Sequence, residues 1–264
     1  MYARPATLES ALEHLAEGDW SLLAGGTDFY PARVGRPLNE PVLDISGVAG
    51  LRGIDRTDEG FSIGALTTWT DVIRADLPPA FDALKLAARE VGSIQVQNAG
   101  TVAGNLCNAS PAADGVPPLL VLDAEVEAMS GQGVRRLPLT AFIRGNRQTA
   151  LGAGEMVTRI LIPGSALKGH STFLKLGARK YLVISIVMVA ARLGEGDAAV
   201  AVGSCSAVAQ RLRALEADLR GGVIGVRPEH LSPLSPIDDM RADATYRGEA
   251  AAALVQRAVD AVRA

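Results

Sequence analysis

The chain is poor in the residues from which metal and redox centres are built. Its 264 residues include two cysteines, Cys107 and Cys205, and three scattered histidines, His14, His170 and His230. An iron–sulfur cluster takes four ligands, and so does a structural zinc, so neither is expected here. Two distant thiols do not suggest a disulfide framework either. Aromatic residues make up only 4% and the net charge is −3 without a basic run, which argues against a nucleic-acid surface. The longest apolar stretch, residues 181–191, contains Ser185 and falls short of the roughly 20 residues that cross a bilayer. The N-terminus, MYARPATLES, lacks an apolar signal core. These absences predict a cytoplasmic chain with no transmembrane segment and no metal of its own. Several fixed motifs are missing too. No G-x-G-x-x-G follows a strand, and no P-loop, H-E-x-x-H or G-x-S-x-G occurs, which removes their associated chemistries.

What is present is ample core: 48% of residues are hydrophobic, enough for one large or two moderate domains. Thr7 caps a helix with Leu8, Ala11, Leu12 and Leu15 on one face. A short apolar strand at 20–24 stops at Gly25-Gly26-Thr27-Asp28, and residues 29–34 suit a helical turn or two. Residues 41–45 read as a buried strand, and 51–54 with 61–63 as a hairpin. Thr67 or Thr68 caps a helix at 69–75, and 81–91 is strongly helical. Residues 119–128, 134–137, 155–163 and 172–176 read as strands. After about Gly169 the texture changes. Residues 184–193 and 198–204 form a hairpin, 208–219 and 246–262 are amphipathic helices, and the Pro/Ser-rich 228–239 is loop. The pattern is α+β: β-α-β first, antiparallel β in the middle, and a small α+β unit at the end.

Between the helix at 81–91 and the next patterned segment lies SIQVQNAGTVAGNLCNASPAAD, residues 93–114. It has almost no hydrophobic period and is rich in Gly, Asn, Ser and Thr. Such residues build tight turns whose N–H groups point outward together. The segment is expected to be a long connection without regular structure, and such connections are usually functional. Two Gly/Thr loops, 24–28 and 101–105, each follow an ordered element and offer several backbone donors plus a hydroxyl. A pyrophosphate carries two negative groups, and two such nests could take it from both sides without an arginine. Each candidate also has a plain reading. Cys107 could be a nucleophile, but no histidine accompanies it in the segment, and a small side chain packed under the loop explains it as well. Asp114 could accept bonds from hydroxyls or simply end a turn. Lys175 could serve a site or lie at a strand edge facing solvent.

LLAGGTDF at 22–29, VGSIQVQNAGTVAGNLCNASPAAD at 91–114, Ile162-Pro163 with Phe173-Leu174-Lys175, and PIDDMRADATYR at 236–247 together resemble the FAD-binding subunit of molybdenum hydroxylases. That family comprises the medium subunit of aerobic carbon-monoxide dehydrogenase and the flavin subunits or domains of xanthine dehydrogenase relatives. The resemblance covers essentially the whole chain. It implies a two-lobed FAD-binding domain of the PCMH/vanillyl-alcohol-oxidase type at residues 1–168, with lobes of about 1–55 and 56–168. A small α+β CO-dehydrogenase-flavoprotein C-terminal domain would follow at 169–264. By resemblance, Leu22, Leu23, Ala24, Gly25, Gly26, Thr27, Asp28 and Phe29 wrap the pyrophosphate. Thr101, Val102, Ala103, Gly104 and Asn105 match the second phosphate loop. Ala103 stands where glycine is usual, and in a turn needing positive φ its methyl would cost ~1 kcal/mol. Val91 lines the site through its backbone, Asp114 binds cofactor hydroxyls, Val157 and Lys175 meet the flavin region, and Tyr181 stacks on the ring. A cation beside the ring would raise the flavin potential.

The resemblance further implies a division of labour. A large subunit carries molybdopterin and oxidises the substrate. A small subunit carries [2Fe-2S] clusters and passes electrons singly to this FAD. NAD+, a quinone or another acceptor then removes them, and the assembly is a dimer of heterotrimers. No catalytic acid or base is expected in this chain. Two readings compete. One is a self-contained flavoprotein oxidase or reductase of the same fold, which would need its own substrate pocket. The other is an assembly module that has lost its flavin.

Overall fold

The computed structural model describes residues 1–223 and 225–263. The chain opens with a three-stranded sheet in the order Tyr2–Ala3, Val42–Asp44, Ser21–Leu23, with parallel pairing throughout. Helix Leu8–Glu17 connects its first two strands in sequence. Thr7 caps it by accepting from the Ser10 N–H at 3.2 Å, and its apolar face buries Ala11 and Leu15. The helix and the strands at 21–23 and 42–44 were expected from the sequence, whereas the edge strand Tyr2–Ala3 was not; parallel pairing explains why the two expected strands read as apolar runs.

The middle of the chain is a five-stranded antiparallel sheet: Ile54–Thr57, Gly60–Gly64, Met156–Pro163, Glu125–Ser130 and Gly133–Pro138, in that spatial order. Helices Trp69–Arg74, Asp82–Glu90, Val102–Asn108 and Val116–Val121 share its core, and Ile94–Ala99 packs outside them against Trp69–Arg74. The core between them includes Trp69, Phe81, Leu84, Leu106, Leu119, Leu122 and Ile160, all essentially without solvent exposure.

The last sheet has four strands: His170–Leu176, Val187–Gly194, Asp197–Gly203 and Gln210–Arg211. It is covered on both faces. Met188 and Ala190 face the helices Asp82–Glu90 and Val116–Val121, while Val187, Val189 and Ala191 face Arg213–Arg220 and Ala244–Arg263. Alternate residues thus serve two cores. The sheet is bonded to the preceding helices as well as packed on them. Ser171 Oγ accepts from the Ala83 N–H and donates to the Ala80 carbonyl, both at 2.8 Å. The buried Arg192 donates through Nε to the Val121 carbonyl at 2.7 Å and pairs with Asp197 at 2.6 Å.

Four sequence expectations differ from the structure. The first strand of the hairpin, expected at 51–54, runs Ile54–Thr57 and pairs with Gly60–Gly64. Residues 93–114 are not devoid of regular structure; they contain helices Ile94–Ala99 and Val102–Asn108. Ser93 and Thr101 cap them by accepting from the Val96 and Gly104 N–H groups. Helices of six and seven residues are too short to show an amphipathic period, so only the caps announced them. Residues 119–128 do not form one strand. A helix, Val116–Val121, precedes the strand Glu125–Ser130. A fully buried apolar run does not distinguish helix from strand by period, whereas Pro117 and Pro118 fit a first helical turn. The helix expected at 208–219 begins only at Arg213, because Gln210 and Arg211 pair with Val202 and Ala201 as an edge strand.

Candidate functional site

Two bends meet at the centre of the molecule. The first leaves strand Ser21–Leu23 through Gly25, Gly26, Thr27 and Asp28. Gly26 has φ +75°, a conformation that favours glycine, and its carbonyl accepts from the Tyr30 N–H at 3.2 Å. Among the described residues, the N–H groups of Gly25, Gly26, Thr27 and Asp28 meet no protein acceptor. Successive unpaired N–H groups in such a turn form an anion-binding concavity. The second bend runs from Gly100 to Asn105. Neighbouring backbone fixes it: Trp69 N–H donates to the Gly100 carbonyl at 3.2 Å, and Val102 N–H to the Thr67 carbonyl at 2.9 Å. Thr101 Oγ1 holds the Gly104 N–H at 2.9 Å.

The bends touch. An ideal Cβ on Gly25 would stand 1.9 Å from the Ala99 carbonyl oxygen, and one on Gly100 would stand 3.2 Å from Thr27 Oγ1. Only glycine permits that approach. Beside the contact lies a cavity of about 510 Å³, lined by both bends, Gly26 and Gly104 included. A second cavity of about 610 Å³ shares Asp28, Val91, Val96, Asn105 and Asn108 with it. The two cavities adjoin along these residues.

The residues singled out in the sequence distribute as follows. Leu22, Ala24, Gly25, Gly26, Thr27, Asp28 and Phe29 line the first cavity, as do Thr101, Ala103, Gly104, Asn105 and Val157. Val91 borders both cavities, and Asp114 borders the second. Leu23 and Val102 are buried in the flanking cores and line neither. Tyr181 is 64% exposed, lines neither cavity, and carries Lys180 over its ring. Ala103 lies inside helix Val102–Asn108, and its φ is not positive. The strain expected for a methyl there is therefore absent.

Lys175 sits behind the cleft rather than on its surface. Its Nζ donates to Asp114 Oδ2 at 2.7 Å, and both side chains are nearly buried. Ser185 Oγ donates to Asp114 Oδ1 at 2.7 Å. Burial pushes the Asp114 carboxyl above its usual range, and Lys175 and Ser185 pull against that rise. Lys175 thus presents a compensated charge, not a free cation. Cys107 opens onto the first cavity. The protein packed around it pushes its thiol up to about 12.

Several cavity residues escaped the sequence reading. Trp69 lies under the second bend, with its ring 2.4 Å from where a Cβ on Gly115 would be. Met156 and Val157 both border the cavity although successive strand residues normally face opposite ways. The ladder is irregular between Val157 and Arg159, and bulges re-aim side chains in this manner. Arg33 and Arg147 also line the cavity; neither stands in a motif. Asn105 Oδ1 is buried without a partner, a cost of about 1–3 kcal/mol that native structures usually avoid.

The family model "FAD binding domain in molybdopterin dehydrogenase" matches residues 1–165. The chain is 34% identical to the nicotinate dehydrogenase FAD-subunit of Eubacterium barkeri, over 86% of this chain and 75% of that one. It is 29% identical to the glyceraldehyde dehydrogenase medium chain of Sulfolobus acidocaldarius, over 97% and 96%. Among solved structures, carbon monoxide dehydrogenase from Hydrogenophaga pseudoflava superposes with a TM-score of 0.87 at 27% identity, covering 99% of this chain and 96% of that one. Quinoline 2-oxidoreductase from Pseudomonas putida 86 gives 0.85 at 25% identity, covering 99% and 95%. No described helix is long and apolar enough to cross a membrane.

Proposed function

Because the chain belongs to the family of FAD-binding domains of molybdopterin dehydrogenases, we propose that its cleft holds FAD and that it is the electron-transferring flavin subunit of a molybdenum hydroxylase. The observation that carries this reading is the shared cleft between the two bends. Four unpaired N–H groups on one side and a threonine-capped bend on the other suit a diphosphate. The residues fit the group in three respects. Side chains at Gly25, Gly26 or Gly104 would collide with their surroundings. Asn105 borders both cavities and has an amide oxygen with no protein partner. Two adjoining cavities of about 510 and 610 Å³ offer room for the two halves of a dinucleotide.

When bound, FAD supplies the ability to take up electrons one at a time and release them in pairs. Each residue of the chain has a task around it. Leu22 to Phe29 and Thr101 to Asn105 grip the diphosphate from opposite sides. Val91 and Val157 line the apolar parts of the cleft, and Asp114 offers its carboxylate to cofactor hydroxyls. Lys175, balanced by Asp114, sets a moderate field near the ring, and Tyr181 covers it from the exposed loop. Residues 1–168 form the cofactor domain and 169–264 the C-terminal domain. A small partner with [2Fe-2S] clusters delivers electrons, a large one with molybdopterin oxidises the substrate, and NAD+, a quinone or another acceptor takes the electrons away in the cytoplasm. The relatives support this arrangement, since their names describe an FAD-subunit and a medium chain. Affinity purification of the chain from its host tests the reading. Flavin absorbance and co-purification of a molybdopterin subunit and an iron–sulfur subunit are expected. A colourless, solitary chain that binds no added FAD would refute it.

A further inference from the structure

Two guanidinium groups line the first cavity, and they are not equivalent. Arg33 is already engaged. Its Nε pairs with Glu40 at 2.5 Å, Nη1 donates to the Phe29 carbonyl at 2.9 Å, and the group lies 3.8 Å from the Phe29 ring centroid. Arg147 has no ion-pair partner among the described residues. Its one side-chain bond is from Nη1 to Asn108 Oδ1 at 3.2 Å, and Asn108 borders both cavities. That bond holds an unpaired guanidinium at the exposed wall of the first cavity.

The backbone at Arg147 is unusual as well. Its φ is +56°, a left-handed region that disfavours a side chain relative to glycine. The position lies in the turn between strands Ile143–Gly145 and Gln148–Thr149, and its N–H donates to the Ala109 carbonyl at 3.0 Å. Glycine or asparagine would suit such a turn better. A strained arginine has therefore been retained where the fold alone favours a smaller residue, and it lines a cavity whose other guanidinium, Arg33, is already paired with Glu40 and whose carboxylate, Asp28, stands in the first bend. We infer that Arg147 is a third anchor for the cofactor, supplying the positive charge that draws the anionic diphosphate of a dinucleotide into the cleft. This rests on the FAD reading above, and it assigns to the site a residue that its two bends do not include.

The test separates charge from turn geometry. The full chain, stripped of flavin, is titrated with FAD, ADP and riboflavin by calorimetry, as wild type, Arg147→Gly and Arg147→Lys. Glycine relieves the left-handed strain, so the melting temperature of Arg147→Gly should hold or rise. Its affinity for FAD and ADP should nevertheless fall about tenfold, the worth of one charge-assisted contact. Riboflavin, which has no phosphate, should bind all three proteins alike. Arg147→Lys should retain most of the affinity, and the dependence of ADP binding on salt should be weaker in Arg147→Gly than in wild type. If Arg147→Gly binds ADP and FAD as wild type does, Arg147 is a turn residue only and the inference is wrong. If wild-type protein binds neither FAD nor ADP, the FAD reading falls and takes this one with it.

Discussion

Gly25 lies against the Ala99 carbonyl so closely that a Cβ would stand 1.9 Å from the oxygen. Residues from two distant parts of the chain thus meet without a side chain between them, and the cleft opens beside that meeting. Gly25→Ala would force the two bends apart. Overpacking of this kind costs about 1–3 kcal/mol, and the displacement falls on the donors themselves. The variant should fold, melt somewhat lower and lose most of its flavin. Flavin content per chain after gel filtration, set beside the far-UV circular dichroism spectrum, checks this.

Gly26 and Gly104 act differently from Gly25 and from each other. Gly26 has φ +75°, and a Cβ would meet the Tyr30 ring at 2.8 Å; at Gly104 it would meet Thr101 Oγ1 at 2.7 Å. Gly26→Val should combine backbone strain with displacement of Tyr30 and cost about 2 kcal/mol. Gly104→Val should disturb chiefly the cap that Thr101 places on its N–H, worth about 1 kcal/mol. Both should bind FAD poorly, with Gly26→Val the less stable by thermal melting. Unchanged flavin content in either would count against the bend that carries it.

Much of the cleft was legible because its signals are local. Glycine and threonine at 25–27 and 100–104 announce turns and caps by their own chemistry, whatever surrounds them. The helices Ile94–Ala99 and Val102–Asn108 were illegible because each is too short to display a period, although Ser93 and Thr101 marked their starts. The helix Val116–Val121 was hidden for another reason: every residue in it is buried, so no polar face broke the apolar run. Arg147 and Met156 reach the cleft through a hairpin turn and an irregular strand. Such long-range placements leave no trace in local pattern. The Lys175–Asp114 pair joins residues far apart in sequence, so the charge of Lys175 looked free until its partner was located.

Cys107 offers a probe of occupancy. Its thiol is pushed up towards about 12 by the protein packed against it, although the side chain reaches the cavity, and that of Cys205 to about 11 by full burial. Thiolate is the reactive form, so native protein should alkylate very slowly at neutral pH. The rate at Cys107, which opens onto the cavity, should climb as pH rises towards the elevated value. Cys205 is buried and should stay silent until the chain unfolds. The sign for stability follows from the same shift. The thiol pKa is higher in the folded state, so its contribution is complete below about 8.5, the unfolded thiol value, and is lost as pH rises through the folded value. Bound FAD should slow Cys107 labelling further. Mass spectrometry after iodoacetamide treatment, with and without FAD across pH 7–10, reads all of this.

Asp114 and Lys175 should be coupled in stability and opposed in their effect on the flavin. Asp114→Asn leaves Lys175 nearly buried without a counter-charge, a change that costs about 3 kcal/mol or more. It also releases the lysine's positive charge towards the ring, which should raise the flavin midpoint potential. Lys175→Met should destabilise similarly, because it strands a buried carboxylate, yet it should lower the potential. Combining the two substitutions removes both charges, so the double variant should recover most of the stability lost in either single one. Burial also sets the pH dependence. The Asp114 carboxyl is raised in the folded state, so its contribution is complete below the ordinary carboxylate range and is lost as pH rises through the raised value. Asp114→Asn has no such titration, so this pH-dependent contribution should be missing from its stability profile. Urea melts of the four proteins from pH 4 to 7, with potentiometric titration of the bound flavin, measure both effects. Additive rather than coupled losses in the double variant would show that the pair contributes nothing beyond two independent contacts.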